Sequence, residues 1–314
     1  MYRIGIDIGG TNLKAGIVDE KNNLVESTYA PVRKGASPNE IIADACQLAE
    51  AAMGLSCISN SEIAGVGISC AGTCDTKTGR VIHAYNLGFE NTPVCDLVNF
   101  RFHVPAKLAN DADAQALAEV RAGSALGMEN VLYICLGTGV GVGIIINGGI
   151  YSGCGYAGTE AGHMTLILDG EQCTCTESGC FEAYASATAL IRQAKKAAAS
   201  DPGSALNSLK KMGAKDIFGL ADAGDETSVR VTKEYIRYLS AGITSLVNIF
   251  DPEAVVIGGG VANRGEKLLE PVREYVGKHI FGADSRKAPV ITAAGFRDNA
   301  GVIGAAMLIK DGTE

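Results

Sequence analysis

The spacing of apolar residues along the chain predicts both strands and helices. Isoleucine occupies every second position from Ile4 to Ile8, and two further short apolar runs, at residues 13–18 and 24–29, follow polar turns. Short β-branched runs joined by tight turns predict an antiparallel meander of strands. Between residues 38 and 53, apolar side chains recur every three or four positions, which predicts an amphipathic helix.

The remainder of the chain continues this mixture of strands and helices. Strands are predicted at residues 63–69, 107–109, 130–136, 143–146 and 254–257. Helices are predicted to begin near Asn110 and to occupy 181–200, 229–250 and 297–310, with a helical insertion at 201–224. The stretches 70–105 and 148–179 are predicted to be rich in loops and irregular structure.

Two distant segments of the chain have similar sequence patterns. Residues 3–18 (RIGIDIGGTNLKAGIV) and 131–146 (VLYICLGTGVGVGIII) both have the pattern of a strand, a Gly/Thr turn and a second strand. A distant repeat of this kind suggests two lobes that are built on one plan. The alternative is a chance match between two glycine-rich hairpins.

Composition and charge narrow the classes of protein that fit. The chain has 314 residues, of which 47% are hydrophobic and 20% charged, as in a globular protein large enough for two lobes. A formal net charge of -8 argues against a general affinity for nucleic acid. No apolar run approaches the roughly 20 residues of a membrane span, and the first residues resemble a strand rather than a secretory signal. We therefore expect a cytoplasmic protein without a disulfide framework.

Two glycine-rich turns have the composition of phosphate-binding loops. They are DIGGT at residues 7–11 and LGTGVGVG at residues 136–143. Glycine has no Cβ and permits positive φ, so that backbone N–H groups can face phosphate oxygens. Asp7 could hold Mg²⁺ directly or through water. The chain contains no G-x-x-x-x-G-K-[ST] loop, and for the first turn an ordinary hairpin with a capping aspartate is the alternative.

A polar dipeptide, Asn110-Asp111, stands where a predicted strand meets a predicted helix. A hydroxyl that attacks a γ-phosphate must lose its proton, and a carboxylate within hydrogen-bond reach can take it. Asp111 could be that base, with Asn110 binding a neighbouring hydroxyl. From the dipeptide alone, however, a helix cap is the better-supported role for both residues.

The strongest local signal is a set of metal-binding residue types. His163, Cys173, Cys175 and Cys180 have the spacing H-x9-C-x-C-x4-C. A Cys₃His set completes a tetrahedral zinc site and leaves no open position for catalysis, so the predicted role is structural. Such a site would order an otherwise irregular loop. Nearby Glu160 and Glu182 could bind vicinal hydroxyls, although solvated surface residues are the alternative.

In chain order, these segments resemble the ROK family of sugar kinases and repressors. The matching segments are DIGGT at 7–11, GISCAGTCD at 67–75, NLGF at 86–89, ND at 110–111, LGTGVGVG at 136–143, EAGHM at 160–164, CTCTESGCFEAYAS at 173–186 and VVIGGGVA at 255–262. They span almost the whole chain in the order that the family has.

The resemblance implies an actin-like ATPase fold of the ribonuclease H-like type, with two α/β domains around a nucleotide and sugar cleft. It implies an N-terminal domain at residues 1–110, joined by a C-terminal helix at about 297–314. A larger domain at 111–296 would carry the zinc-binding loop. The implied activity is ATP-dependent phosphorylation of a sugar, with ATP, Mg²⁺ and a structural Zn²⁺ as cofactors.

Positions that match the family motifs take their roles from the resemblance, which makes Asp111 the catalytic base. The implied sugar-binding residues are Gly72, Asn110, Asp111, Glu160, His163 and Glu182. The implied phosphate-binding residues are Asp7, Gly9, Gly10, Thr11, Gly137, Thr138 and Gly139, and the adenosine would lie against Gly258, Gly259 and Gly260. The implied zinc ligands are His163, Cys173, Cys175 and Cys180.

The identity of the sugar is less defined than the reaction. The segments around the cysteines are most similar to bacterial glucokinases of the family, which makes glucose the first choice. N-acetylmannosamine, fructose, mannose and allose stay open, because the chain departs from the family pattern at Ala71, Ala161 and Thr176, the last in place of the usual glycine. The expected partners are a sugar and ATP, with no nucleic acid and no membrane, in a homodimer or homotetramer.

Three other functions are expected to fit less well. A repressor of the same family would need a DNA-reading helix-turn-helix ahead of the first strand, which here begins at Tyr2. A sugar sensor without turnover would be expected to lose the base or the phosphate turns, and both are present. A zinc hydrolase would need an open coordination position, which a complete Cys₃His set does not leave.

Overall fold

The computed structural model describes residues 1–156 and 160–310 and contains strands and helices in the predicted mixture. The strands of the described residues are β1 (Tyr2–Ile8), β2 (Asn12–Val18), β3 (Leu24–Pro31), β4 (Ile63–Cys70), β5 (Thr73–Asp75), β6 (Arg80–Ala84), β7 (Phe89–Thr92), β8 (Ala106–Asn110), β9 (Val131–Leu136), β10 (Val140–Ile146), β11 (Gly149–Ile150), β12 (Ala254–Gly258) and β13 (Val290–Ala293). The helices are α1 (Pro38–Ser56), α2 (Val94–Phe102), α3 (Asp111–Ala122), α4 (Glu182–Ala185), α5 (Ala187–Ala199), α6 (Ala214–Asp222), α7 (Glu226–Phe250), α8 (Glu266–His279) and α9 (Ala300–Ala306).

The first sheet is built on the predicted meander. Its strand order is β3-β2-β1-β4-β8, in which β1, β2 and β3 pair antiparallel and β4 lies parallel to both β1 and β8. Ile4, Ile6 and Ile8 are completely or almost completely buried, as their alternation along β1 predicts. Helix α1 packs against β2 and β3, and its first turn is closed by a capping box between Ser37 and Glu40.

The C-terminal helix α9 packs closely against this first sheet. Gly5 of β1 and Gly67 of β4 pair with each other. A Cβ on Gly5 would lie 1.9 Å from the carbonyl oxygen of Val302, and one on Gly67 would lie 1.7 Å from that of Ala305. Only glycine therefore lets the helix approach so closely. Helix α9 is shorter than the predicted 297–310. Residues 297–299 form a 3₁₀ turn, and the helix ends at Ala306. Residues 311–314 lie outside the described part.

The region from 70 to 105 contains more regular structure than the sequence predicted. Strands β5, β6 and β7 form a three-stranded antiparallel sheet, and helix α2 follows them. These strands have between 3 and 5 residues each. Segments so short complete too few repeats for a two-residue period to be recognised.

The second sheet repeats the plan of the first. Its strand order is β11-β10-β9-β12-β13. When the strands of each sheet are numbered in chain order, both sheets have the order 3-2-1-4-5. As in the first sheet, the last strands are parallel: β12 lies parallel to both β9 and β13. The echo between residues 3–18 and 131–146 therefore reflects one plan used twice.

The longest helix, α7, begins and ends at side chains suited to helix termini. It begins three residues before the predicted 229, because Asp225 accepts a hydrogen bond from the Ser228 N–H as its N-cap. It ends at Phe250, and its C-cap, Asp251, has a φ of 45° and precedes Pro252. Neither α7 nor another helix in the described part of the chain is long and apolar enough to cross a membrane.

The chain divides into two compact units. The first comprises Met1–Glu129, Gly143–Thr159 and Gly295–Glu314, and the second comprises Asn130–Val142 and Glu160–Ala294, with residues 157–159 and 311–314 outside the described part. The boundary expected after residue 110 differs from this division, because α3 packs against α9 and stays in the first unit. Asp111 thus belongs to the first unit and not to the second.

A buried carboxylate fixes the segment where the chain re-enters the first unit. Glu119 of α3 is fully buried and accepts hydrogen bonds from the N–H groups of Gly295, at 2.9 Å, and Phe296, at 3.2 Å. It also accepts the N–H and the hydroxyl of Ser124, at 2.8 and 2.9 Å. Several donors on one carboxylate offset the cost of removing its charge from water.

Candidate active site and metal centre

Asn110 ends β8 and caps helix α3. Its Oδ1 accepts hydrogen bonds from the N–H groups of Ala112, at 2.8 Å, and Asp113, at 3.4 Å. Its Nδ2 donates to the carbonyl oxygen of Gly72 at 3.0 Å. The side chain thus holds the Gly72 loop at the start of the helix, and a second Nδ2 hydrogen can serve a ligand.

Gly72 has a backbone conformation that favours glycine. Its φ is 141°, and a Cβ there would lie 2.4 Å from the carbonyl oxygen of His83. A larger residue would move the carbonyl group that Asn110 binds. The structure therefore brings Gly72, Asn110 and Asp111 together, as the sequence predicted, while their roles stay predictions.

Asp111 is the first residue of α3. Its Oδ1 accepts the N–H of Ala112 at 2.9 Å. Burial raises the pKa of the Asp111 carboxyl, and the hydrogen bond from Ala112 opposes this by lowering it. Since Asn110 supplies the cap, the Asp111 carboxyl is not required for that purpose. A carboxyl with a raised pKa is suited to receive a proton from a hydroxyl near neutral pH.

Asp7 lies at the end of β1, beside the first glycine turn. Its Oδ1 accepts the hydroxyl of Ser69, the residue opposite it in β4, at 2.6 Å. Burial raises the pKa of Asp7 to about 6; the Ser69 hydrogen bond lowers it and the negative charge of Asp111 raises it. The carboxyl packs on Gly301, where a Cβ would lie 2.5 Å from Oδ2. A cation at this carboxyl would favour its ionised form, so Asp7 fits a Mg²⁺ ligand.

We expect Asp7→Asn to raise the melting temperature of the nucleotide-free protein at about pH 7.5. Folding raises the pKa of this carboxyl from 3.8 to about 6, so the folded state binds the proton more tightly. Above about pH 6 the wild type therefore loses up to roughly 3 kcal/mol of stability, and it regains this as the pH falls toward the unfolded pKa. Calorimetry between about pH 7.5 and about pH 4.5 should show the advantage of the variant shrinking. A difference that does not change with pH would contradict this assignment.

The first turn (residues 9–11) is closed by its own backbone. The N–H of Gly9 donates to the carbonyl oxygen of Asn12 at 3.0 Å. Gly10 and Thr11 are exposed, and the side chain of Asn86 lies beside Gly10. The turn therefore presents Gly10 and Thr11, rather than the N–H of Gly9, to a ligand.

The second turn (residues 137–139) has the same internal closure. The N–H of Gly137 donates to the carbonyl oxygen of Gly139 at 3.0 Å, and its own carbonyl oxygen accepts the N–H of Ala187 at 2.9 Å. Thr138, at the tip, is exposed. The turn is thus anchored on helix α5 and presents its tip to solvent.

The glycine run Gly258–Gly260 lies beside the strand that leads into the second turn. Gly258 of β12 pairs with Cys135 of β9. Gly259 has a φ of 81°, and a Cβ there would lie 2.4 Å from the carbonyl oxygen of Leu136. The glycine run predicted for adenosine thus lies in the second unit beside the end of β9, which leads into the second turn.

The four predicted metal ligands form one cluster in the second unit. All ligand atoms of His163, Cys173, Cys175 and Cys180 lie within 4.8 Å of one another. The Sγ atoms of Cys175 and Cys180 are 3.6 Å apart, and Cys173 Sγ lies 3.7 Å from His163 Nδ1. Zn–S bonds of about 2.3 Å in a tetrahedron place the sulfur atoms about 3.8 Å apart, so the cluster fits zinc.

The chemistry of the donors also suits a cation. Desolvation raises the pKa of Cys180 to about 12, whereas the backbone N–H of Glu177 lowers the pKa of Cys175. Three thiolates close together require a positive charge, which a zinc ion would supply. His163 directs Nδ1 to this cluster and Nε2 to Glu160, whose Oε2 is 3.9 Å away.

The metal loop (residues 173–180) contains a backbone conformation that favours the glycine usual in the family at position 176. Thr176 has a φ of 77°, in the left-handed region that β-branched residues rarely adopt. Glycine would meet this requirement without strain. The threonine is therefore tolerated at some cost in backbone energy.

Two residues in these sites were missed from the sequence. Ser69, which binds Asp7, is identified only by the pairing of β1 with β4. Thr174 donates its hydroxyl to Glu182 Oε1 at 3.1 Å, and its position between two predicted ligands was the available signal. A serine or threonine in a short motif has too many common roles for sequence alone to select this one.

The whole chain is similar to known proteins. The model of the ROK family matches residues 3–312. A glucokinase of Streptomyces coelicolor is 35% identical over 316 residues, which cover 98% of this chain and 97% of the glucokinase. A xylose repressor of Caldicellulosiruptor bescii is 29% identical over 313 residues, which cover 98% of this chain and 78% of the repressor.

A solved structure agrees with these matches. The crystal structure of a ROK family glucokinase from Streptomyces griseus, in complex with glucose and AMPPNP, has a TM-score of 0.84 and 33% sequence identity. The match covers 99% of this chain and 100% of that chain. The predicted actin-like ATPase fold and the resemblance on which it rested are both confirmed.

Proposed function

Because this chain belongs to the ROK family, we propose that it is a sugar kinase that transfers the γ-phosphoryl group of ATP to a hexose, with glucose preferred. Similarity to two glucokinases over nearly their full lengths, one bound to glucose and AMPPNP, supports this substrate and this nucleotide. The observation that carries the proposal is the Asp111 carboxyl, whose pKa is raised at a helix start that Asn110 already caps.

The first unit supplies the base in this proposal. Asp111 accepts the proton of the attacking hydroxyl, which for glucose is the hydroxyl at C6. Asn110 donates its second amide hydrogen to a neighbouring hydroxyl, and the Gly72 loop completes this part of the sugar site. Asp7 holds the Mg²⁺ ion of the nucleotide, directly or through water.

The second unit supplies nucleotide and sugar contacts in this proposal. The second turn receives the phosphates, because its exposed tip can direct backbone N–H groups at them, and Gly258–Gly260 lies along the adenosine. Glu160, His163 and Glu182 bind sugar hydroxyls. When bound, Mg·ATP supplies the phosphoryl group and the cation that neutralises its charge.

The Cys₃His cluster is proposed to hold zinc in a structural role. His163, Cys173, Cys175 and Cys180 occupy all four positions of a tetrahedral ion, so no position remains for substrate. The ion would fix the orientation of His163, which in turn faces Glu160. Two of the proposed sugar-binding side chains thus depend on the metal centre for their placement.

A second candidate function is a sugar-responsive regulator of the same family. The similarity to a xylose repressor favours it, since that match also covers 98% of this chain. A regulator needs to bind sugar but has no use for a general base. Turnover of ATP by the purified protein therefore separates the two candidates.

The test is a coupled ADP-release assay with Mg·ATP across hexoses and N-acetylhexosamines. We expect ADP release that depends on sugar, with the highest kcat/KM for glucose over N-acetylmannosamine, fructose, mannose and allose. Mass spectrometry should identify a hexose 6-phosphate as the product. Saturable sugar binding without ADP release for any sugar would instead favour the regulator.

A further inference from the structure

One carboxylate joins the metal loop to the second turn within the second unit. Glu182 Oε2 accepts a hydrogen bond from the N–H of Val140, the residue that follows the turn, at 2.9 Å. Glu182 Oε1 accepts the hydroxyl of Thr174 at 3.1 Å. Thr174 stands between Cys173 and Cys175, two of the metal ligands. Each carboxylate oxygen is thus bonded to a different one of the two segments.

The packing around this carboxylate restricts how the turn can move. A Cβ on Gly139 would lie 2.1 Å from Glu182 Oε2, so the carboxylate occupies the space that a side chain would need. In addition, a Cβ on Gly162 would lie 2.1 Å from the carbonyl oxygen of Val140. Gly162 immediately precedes the ligand His163. Val140 is therefore held by two segments that both lead to metal ligands.

We propose that Glu182 is a positioning residue for the second turn. The metal loop, ordered by its four ligands, transmits that order through the Thr174 hydroxyl and the Glu182 carboxylate to the backbone at Val140. The N–H groups of the turn are then preorganised for nucleotide phosphates before any sugar is bound. This inference rests on the proposed kinase function and adds a dependence of nucleotide affinity on the metal centre.

The first experiment compares two variants of Glu182 by calorimetric titration with Mg·ADP in the absence of sugar. Glutamine can accept the N–H of Val140 through its oxygen and donate its amide to the Thr174 hydroxyl, so Glu182→Gln should keep the wild-type Kd within about threefold. Glu182→Ala removes both bonds, together with the contact between Cys173 Sγ and Glu182 Oε1 at 3.8 Å, and should weaken ADP binding by about tenfold. Zinc content, measured by mass spectrometry, should remain near that of the wild type in both.

The second experiment acts on the metal loop without changing the turn or the carboxylate. Thr174→Val removes only the hydroxyl and should weaken Mg·ADP binding by about fivefold, with zinc retained. Ser178→Ala is the matched control, because its hydroxyl lies in the same loop and bonds to Gln172 instead, at 3.4 Å. Wild-type ADP affinity in Thr174→Val, or equal weakening in Ser178→Ala, would overturn the proposal.

The third experiment removes the metal by chelation from the wild type and from Glu182→Ala. Removing zinc from the wild type should weaken sugar-free Mg·ADP binding, whereas in Glu182→Ala its removal should have little further effect, because the connection is already broken. Equal losses in both proteins would show that the metal acts by another route and would overturn the proposal. If the zinc-loaded wild type binds no ADP, the kinase function fails as well. Equal ADP binding by the wild type and all variants defeats only the link through Glu182.

Discussion

Asp111→Asn should phosphorylate sugar about 10²–10⁴-fold more slowly than the wild type, with sugar binding largely kept. Asparagine has nearly the shape of aspartate and retains an oxygen for the N–H of Ala112, but it cannot take a proton from the attacking hydroxyl. Because the N-cap of α3 is Asn110, the helix start should survive the change. The coupled ADP-release assay gives kcat, and calorimetric titration with glucose gives the sugar affinity.

A matched control separates the loss of a base from the loss of an acidic residue at a helix start. Asp96 is exposed and lies in the first turn of α2, also in the first unit. Asp96→Asn should turn over at the wild-type rate. If Asp111→Asn does the same, another group must take the proton and the assignment of Asp111 is wrong.

Local features of the fold and of the sites were predictable from the sequence. Alternation along β1 is visible in Ile4, Ile6 and Ile8, because every second side chain of a strand faces the same side. The Cys₃His cluster was predictable for a similar reason. Its four residues lie between residues 163 and 180, so their spacing along the chain is enough to indicate one cluster.

Features that depend on distant pairing could not be derived in this way. Ser69 meets Asp7 only because β4 pairs with β1 in one register, and a shift by one residue would turn its side chain to the opposite face. The buried Glu119 was invisible for the opposite reason: glutamate in a helix is usually exposed, and its donors on Gly295 and Phe296 are far away in sequence.

The Asn110-Asp111 dipeptide shows how structure resolves an ambiguity that sequence leaves. Both residue types favour helix starts, so the pattern alone favoured capping for both. In the structure Asn110 is the N-cap and accepts the N–H groups of both Ala112 and Asp113, whereas Asp111 accepts only that of Ala112. Because Asn110 caps the helix, the Asp111 carboxylate is not needed for capping, which supports a chemical role for it.

Cys175→Ser should lower zinc content and stability together. Removing one of four ligands opens the tetrahedral site, and the affinity of structural zinc sites depends on the complete set of donors. We expect zinc to fall from about one equivalent to well below half. A loss of about 3 kcal/mol would lower the melting temperature of a chain of 314 residues by roughly 5 °C. Elemental analysis by mass spectrometry and scanning calorimetry on the same preparation measure both.

The matched control for this variant is another thiol removed in the same way. Cys154 is an exposed free cysteine of the first unit, so Cys154→Ser should keep full zinc and an unchanged melting temperature. The melting temperature should also fall whenever the zinc content falls. Chelation of the wild type should reproduce the lower melting temperature of Cys175→Ser, because both treatments leave the metal loop without its central ion. Full zinc content and a wild-type melting temperature in Cys175→Ser would contradict the proposal that this cluster holds a structural zinc.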